Sequence, residues 1–170
     1  QEATTSADRG TQAAIDWLSA NSASLDANNT AGGYYATAYD NLDATGQLSS
    51  HAGRVLIDWN GDTCAYASGT AGSACSLAAR TVVTAGDNEP VTLRYTIFRL
   101  CTQAAAPSAT GNSCAKPASA NTGPAADKGS LDYTKPAPLT TTGSGNLYRI
   151  LVQAVGARNT ASITETIVQF

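Results

Sequence analysis

Methionine is absent from the 170 residues of this chain, and His51 is its only histidine. A chain without methionine does not start at its own initiator, so we expect a processed protein or a piece of a longer one. With one histidine and no Gly-x-Ser-x-Gly motif, a Ser-His-Asp site has no local support, and His51 is expected to be structural or solvated. Ser113 and Lys116 match Ser-x-x-Lys, but Pro117 crowds the helix that this motif requires, so we interpret the match as coincidence.

Long apolar runs, a surplus of basic residues and nucleotide-binding motifs are also missing. No run reaches about 18 apolar residues, the length that spans a bilayer. The formal net charge is -3, which does not favour a nucleic-acid partner. Neither a phosphate loop nor a dinucleotide fingerprint occurs. We therefore expect no cofactor, and the search for catalytic chemistry is mostly negative.

The chain has four cysteines but no Cys-x-x-Cys, so neither a zinc knuckle nor a thioredoxin-like motif is indicated. Cys64 lies close to Cys75 in sequence, and Cys101 lies close to Cys114. We predict these local pairings, because each bridge would staple a loop of small residues that has few other sources of order. The alternative is four reduced cysteines in a cytosolic protein. The working prediction is two disulfides and an oxidising compartment.

Residues 4–28 are predicted to form one long amphipathic helix. One stripe of this segment has mostly apolar residues at helical spacing. The stripe consists of Ala7, Thr11, Ala14, Leu18 and Leu25, and is widened by Ile15 and Trp17. At 1.5 Å per residue the helix would be about 37 Å long, enough to cover one face of a sheet. Asn28, Asn29, Gly32 and Gly33 are expected to end it, since these residue types tolerate the left-handed conformation.

Residues 147–170 carry the clearest pattern of the chain, that of a β-hairpin. Two β-rich runs, 147–155 and 160–170, flank the turn-forming residues 156–159. In the first run, alternation places Tyr148, Ile150, Val152 and Ala154 on one face, and Leu147, Leu151 and Val155 on the other with Arg149 and Gln153. Both faces are partly apolar, so each must be covered.

Glu165 shares a face of the second run with Ile163 and Ile167, and an unpaired carboxylate there would be costly to bury. Two explanations stay open. Either this face is exposed at the edge of the sheet, or Glu165 pairs with Arg149 on the neighbouring strand.

The middle of the chain predicts further strands at residues 55–59 and 91–100, and a possible one at 81–84. Residues 58–62 superficially resemble a calcium loop, but the distal glutamate is missing and Asn60-Gly61 is typical of a hairpin turn. We therefore expect a turn and no metal. Residues 102–146 are rich in proline and small residues, and so long a connector is either functional or mobile.

Tyr34, Tyr35 and Tyr39 form a cluster that could bind a ligand, although packing against the domain with only the hydroxyl exposed is the favoured interpretation.

Three groups of residues together resemble PilX-type minor pilins of type IV pili. The first is the helix segment Ala14-Ile15-Asp16-Trp17-Leu18, and the second is the strand Tyr95-Thr96-Ile97-Phe98-Arg99-Leu100-Cys101. The third is the terminal hairpin, with Leu147-Tyr148-Arg149-Ile150, then Val155-Gly156-Ala157-Arg158-Asn159-Thr160-Ala161-Ser162 and Ile167-Val168.

This resemblance implies an α+β fold in which a long N-terminal α-helix packs on an antiparallel β-sheet, with a C-terminal β-hairpin and disulfide-stapled loops. Residues 1–170 would form a single pilin-like domain. In it, residues 1–30 would be the C-terminal half of the N-terminal helix, and 31–170 the β-rich globular part.

The resemblance also implies a non-catalytic structural role. Such a protein primes pilus assembly and sits at or near the tip with other minor pilins and a large tip adhesin, in a fibre built of the major pilin. It would be anchored in the inner membrane, facing the periplasm, before assembly and be extracellular in the pilus. Motility, DNA uptake and attachment remain open as the purpose of the pilus.

Partner-binding surfaces are expected on the helix flank at Trp17, at Tyr34 and Tyr35, and on the two disulfide-stapled loops. The alternative is an exported β-rich adhesin or ligand-binding domain that uses the tyrosines or the proline-rich loop. A secreted hydrolase is a weaker third possibility.

Overall fold

The computed structural model describes residues 2–48, 53–67, 75–82, 91–116, 145–156 and 158–170. In chain order, these residues form helix α1 (Glu2–Ala20), two 3-10 turns (Ser22–Ser24 and Thr30–Gly32), and strands β1 (Tyr34–Tyr35), β2 (Leu56–Asp58), β3 (Cys75–Ala78), β4 (Arg80–Thr81), β5 (Thr92–Arg99), β6 (Leu147–Val155) and β7 (Ala161–Gln169). Within this described part, no helix combines the length and the apolar character that crossing a bilayer requires.

The main sheet has five strands and is mixed, so the predicted fold class is wrong. Its order is β1-β5-β6-β7, with β4 also paired to β5. Strands β4, β5, β6 and β7 pair antiparallel, whereas β1 runs parallel to β5. A parallel pair needs a crossover connection, which the long segment between β1 and β5 supplies. A second, two-stranded sheet pairs β2 with β3, also in parallel.

The expected long helix over residues 4–28 is also wrong, because α1 ends at Ala20 and has 19 residues. Asn21 ends it: its backbone N–H donates to the carbonyls of Trp17 and Leu18, and its side-chain amide donates to the Trp17 carbonyl at 2.8 Å. Ser24 Oγ in turn donates to the Asn21 carbonyl at 3.1 Å. Asparagine and serine side chains compete with the helical hydrogen bonds in this way, so the chain continues as a 3-10 turn.

Gly32 and Gly33, predicted to end the helix, instead lead the chain into the sheet. Gly33 has a left-handed φ of 66°, and its carbonyl accepts the Ile97 N–H at 2.8 Å. A Cβ at Gly33 would stand 2.9 Å from the Tyr95 carbonyl oxygen. Glycine is therefore required at this point for both its conformation and its lack of a side chain.

The strands β5 and β6 are buried on both faces, as the alternation in β6 predicted. On one face, α1 packs Ala14 and Leu18 against the sheet. The sheet contributes Tyr34, Tyr95, Ile97, Tyr148, Ile150 and Val152 to this first core. On the other face lies a second core made of Tyr35, Ile57, Trp59, Leu77, Phe98 and Leu151.

The terminal hairpin agrees with its prediction: β6 and β7 pair antiparallel in one continuous register. Asn159 takes a left-handed φ of 55° in the turn, a conformation that asparagine tolerates. Both explanations for Glu165 apply, since its side chain is 51% exposed and lies 3.4 Å from Arg149 Nε. The predicted strands at 55–59 and 91–100 correspond to β2 and β5. His51 and the connector beyond Lys116 lie outside the described residues.

Helix α1 approaches the sheet closely at Gly10, and this contact is testable. A Cβ at this position would collide with Cγ1 of the fully buried Val152, a β-branched side chain with little freedom to move away. We expect Gly10→Ala to lower the free energy of unfolding by about 1–3 kcal/mol through overpacking, although alanine favours helix over glycine. Chemical denaturation measures the change.

The matched control is Asp8→Ala, an exposed position on the same helix. It is expected to change the free energy of unfolding by less than about 0.5 kcal/mol. A Gly10→Ala protein that is more stable than the wild type would contradict the close packing of α1 on β6.

Candidate partner-binding surface

Trp17 lies in the last turns of α1 and is half-buried against the second 3-10 turn. Its ring covers Gly32, where a Cβ would collide with Trp17 Cζ2, and its centroid lies 5.4 Å from that of Tyr34. The absence of a side chain at Gly32 thus lets the indole lie flat on the turn. Of the three predicted partner-binding residues, Trp17 is the one that is not buried.

Tyr34 and Tyr35 are both buried, with exposed fractions of 0% and 2%. The Tyr34 hydroxyl donates to the Leu25 carbonyl at 2.6 Å, and the Tyr35 hydroxyl accepts the Ala78 N–H at 2.6 Å. Burial raises the pKa of both hydroxyls above the ordinary value for tyrosine. Neither ring offers a surface to a partner, so their partner-binding role is withdrawn. Packing, the interpretation favoured from the sequence, agrees with this burial, but the expectation that only the hydroxyls are exposed is wrong for these two residues.

Both predicted disulfides, Cys64–Cys75 and Cys101–Cys114, are present. The first connects the residues just after β2 to the start of β3. It stands beside Asp58, whose carboxylate oxygen lies within 4.8 Å of both sulfur atoms. This grouping does not form a metal site, because the sulfurs are bonded to each other and no thiolate is available to a metal.

The Asp58 carboxylate instead organises the turn after β2. It accepts the N–H groups of Asp62 at 3.0 Å and Thr63 at 3.3 Å, while Asp62 accepts the Ala65 N–H at 3.1 Å. Gly61 adopts a φ of 71°, as a turn residue does. The turn prediction for Asn60-Gly61 is therefore correct, but the hairpin is not, because β2 and β3 are parallel.

The side chain of Asn112 makes the largest set of hydrogen bonds within the Cys101–Cys114 loop. Its oxygen accepts the Gln103 N–H at 3.0 Å, and its amide nitrogen donates to the carbonyls of Ala105 and Ala106 at 3.2 and 3.0 Å. The Thr102 hydroxyl accepts the Ser113 N–H at 2.9 Å. These bonds cross the loop, so it is ordered although it contains no helix or strand.

The outer surface of this loop is exposed and carries mostly small side chains. Its solvent-facing residues are Thr102, Gln103, Ala104, Pro107, Ser108, Thr110, Gly111 and Ser113. None of them is charged, and none is aromatic. A partner would meet a polar surface of fixed shape, which costs little conformational entropy to bind.

The buried side chain of Arg99 connects this loop to the rest of the domain. Its side chain is 1% exposed, donates to Asp26 Oδ1 at 2.9 Å, and also donates to the Ala105 carbonyl. Asp26 lies in the segment between the two 3-10 turns. One buried guanidinium thus fixes that segment and the disulfide loop to the end of β5.

Sequence reasoning did not identify the roles of Asn112, Arg99 and Asp26. A weak signal existed for two of them. Asn112 is an amide side chain in a loop of small residues, where asparagine commonly bonds backbone groups. Arg99 interrupts the apolar end of a strand two residues before Cys101, and an arginine at such a position needs a partner.

Comparisons of the chain with protein-family models, with curated proteins and with solved structures found no match.

The disulfides lead to a direct test on protein purified from an oxidising compartment. Without reduction, its intact mass should be lower than the sequence mass by two hydrogens for each bridge, and proteolysis should release the two local cross-links. Replacing Cys101 and Cys114 together by serine should lower the free energy of unfolding by about 3 kcal/mol. Free thiols in the folded protein, or cross-links between the two loops, would contradict the structure.

Asn112 provides a second test. We expect Asn112→Ala to speed amide hydrogen exchange at Gln103 and across the Cys101–Cys114 loop, and to lower the free energy of unfolding by about 1–3 kcal/mol, because it leaves several loop groups without partners. Ser108→Ala, an exposed change in the same loop, is the control and should leave both measurements unchanged. Equal exchange rates in the two variants would rule out Asn112 as the organiser of the loop.

Proposed function

We propose that this chain is the globular part of a PilX-type minor pilin, a non-catalytic subunit that primes assembly of a type IV pilus and sits at or near its tip. Its partners would be other minor pilins, a large tip adhesin and the major pilin. The full-length protein would be anchored in the inner membrane before assembly.

One observation carries this proposal: the three segments that resemble the family lie in contact although they are far apart in sequence. Ala14 and Leu18 of the helix segment pack in the same core as Tyr95 of the strand segment and Tyr148 of the hairpin. This support comes from the contacts and does not depend on the helix length, which is shorter than expected.

The two disulfides add independent support for export from the cytosol. Disulfides persist in oxidising compartments such as the periplasm and are rare in the cytosol. An exported location is required of a pilus subunit, and an exported adhesin meets the same requirement. The buried positions of Tyr34 and Tyr35 weaken the alternative adhesin, because that function relied partly on the tyrosine cluster.

The proposal is tested in the source bacterium by deleting the gene and counting pili on the cell surface by electron microscopy. We expect a marked loss of pili, restored by the full-length gene, and immunogold labelling of the protein at pilus ends. Normal piliation with the protein released into the medium would reject the proposal. Binding of the isolated domain to a glycan array would then favour the adhesin.

Two variants can distinguish a contact of Trp17 with a partner from a role of Trp17 in packing the domain. Trp17→Ala removes the indole, whereas Trp17→Phe keeps an aromatic ring over Gly32 and beside Tyr34. If Trp17 contacts another minor pilin, both variants should reduce co-purification with that subunit. If the ring only packs, Trp17→Phe should co-purify like the wild type.

A further inference from the structure

Strand β7 forms an edge of the main sheet. Among the described residues it pairs along its nine residues with β6 alone. Its neighbour β6 is mostly buried, but no residue of β7 is. At the central residues of β7, no strand of the described part of the chain therefore pairs with its outer side.

Two hydrogen bonds identify the backbone groups that face outward. Phe170 N–H donates to the Asn146 carbonyl at 3.0 Å, and Gly156 N–H donates to the Thr160 carbonyl at 3.1 Å. Both pairs continue the register of the β6–β7 ladder. Along an antiparallel ladder, residues that bond to the neighbour alternate with residues that point away. The even-numbered residues of β7 therefore bond to β6, and the odd-numbered ones face outward.

The central residues whose backbone N–H and C=O groups point away from β6 are consequently Ile163, Glu165 and Ile167. Ile167 is 54% exposed, and Glu165 is 51% exposed. The side chains of all three lie on the same face of the sheet, because they alternate with Thr164 and Thr166. The edge thus presents, between two isoleucines, a half-exposed carboxylate that Arg149 of β6 approaches to 3.4 Å from the inner side.

The usual protections of an edge strand are few in β7. Proteins block such edges with lysine, proline, bulges or short strands. β7 contains neither lysine nor proline, its register with β6 has no shift, and Glu165 is its only charged residue. A partner strand can therefore add to this edge at its central residues.

A second copy of the chain is a poor partner for the outer edge of β7. The antiparallel self-pairing that uses the whole strand has Glu165 at its centre, so Glu165 would stand directly opposite its own copy. Like charges in directly opposed positions destabilise a strand pair. A basic residue at that position would be attracted instead, and apolar residues two positions to either side would meet Ile163 and Ile167.

We propose that the outer edge of β7 binds an extended segment of a partner protein, which adds as a further strand and carries a basic residue flanked by apolar residues two positions away on each side. Main-chain hydrogen bonds to Ile163, Glu165 and Ile167 hold the segment, and Glu165 selects the basic residue. The inference concerns the domain itself and goes beyond the pilus assignment, so the failure of either leaves the other standing.

The probe is a capped nine-residue peptide that alternates valine and threonine, with lysine in place of the central valine. Binding is followed by hydrogen exchange with residue resolution. The amides of Ile163, Glu165 and Ile167 should become protected when the peptide is added. Those of Thr164 and Thr166, already bonded to β6, should not change and serve as internal controls.

The decisive variant is Glu165→Lys, tested with a second peptide that has glutamate at its centre. The variant should bind the lysine peptide about tenfold more weakly than the wild type and should now prefer the glutamate peptide. Ile167→Pro removes one outward N–H without removing a bond to β6, and should weaken both peptides. Thermal unfolding shows whether each variant is folded. If Ile167→Pro is unfolded, the test is decided by the binding of the two peptides to the Glu165→Lys variant.

Three outcomes would overturn the proposal. The first is protection elsewhere than the β7 edge, and the second is no binding of either peptide. The third is a wild-type dimer in analytical ultracentrifugation that Ile167→Pro dissociates, because the edge would then belong to a second copy of the chain.

Discussion

The structure depends on one constraint: β5 and β6 are apolar on both faces, so neither face can be left in water. Ile97 and Ile150 lie opposite each other and face α1, while Phe98 and Leu151 face the second core. A helix alone covers only one of these faces. The small β2–β3 sheet covers the other with Ile57 and Leu77, so the middle of the chain folds back over the main sheet. Burial of apolar area on this scale is the main stabilising contribution available to a domain of this size.

A second constraint on the structure is the buried charge of Arg99. Arg99 lies at the end of β5, where the sheet meets the Cys101–Cys114 loop, and its charge is almost completely removed from water. A buried guanidinium needs partners for its donors, because its desolvation costs several kcal/mol. Asp26 accepts from Nη1 and the Ala105 carbonyl accepts from Nη2, whereas the buried Nε has no hydrogen-bond partner. The ion pair therefore constrains where the loop and the helix-to-sheet connection lie, more than it adds to stability.

The fold was predictable where the pattern of side chains is local and long. Alternation over nine residues identified β6 and its need for cover on both sides. The end of α1 was missed because apolar spacing continues to Leu25, which is buried beyond the helix, while Asn21 and Ser24 stop the helix through side-chain bonds to the backbone. Strand β1 was missed because two residues give no period, and its parallel direction depends on a crossover that no local pattern encodes.

The candidate site was less predictable, because exposure is a property of tertiary neighbours and is not fixed by residue type. Tyr34 and Tyr35 are adjacent in a strand, so their rings point to opposite faces and enter different cores. Alternation alone would have separated them, but only the strand order shows that both faces are covered. The same order leaves β7 at an edge. Two strands with similar β-rich patterns thus differ in function: β6 stabilises the domain, and β7 keeps backbone groups available to a partner.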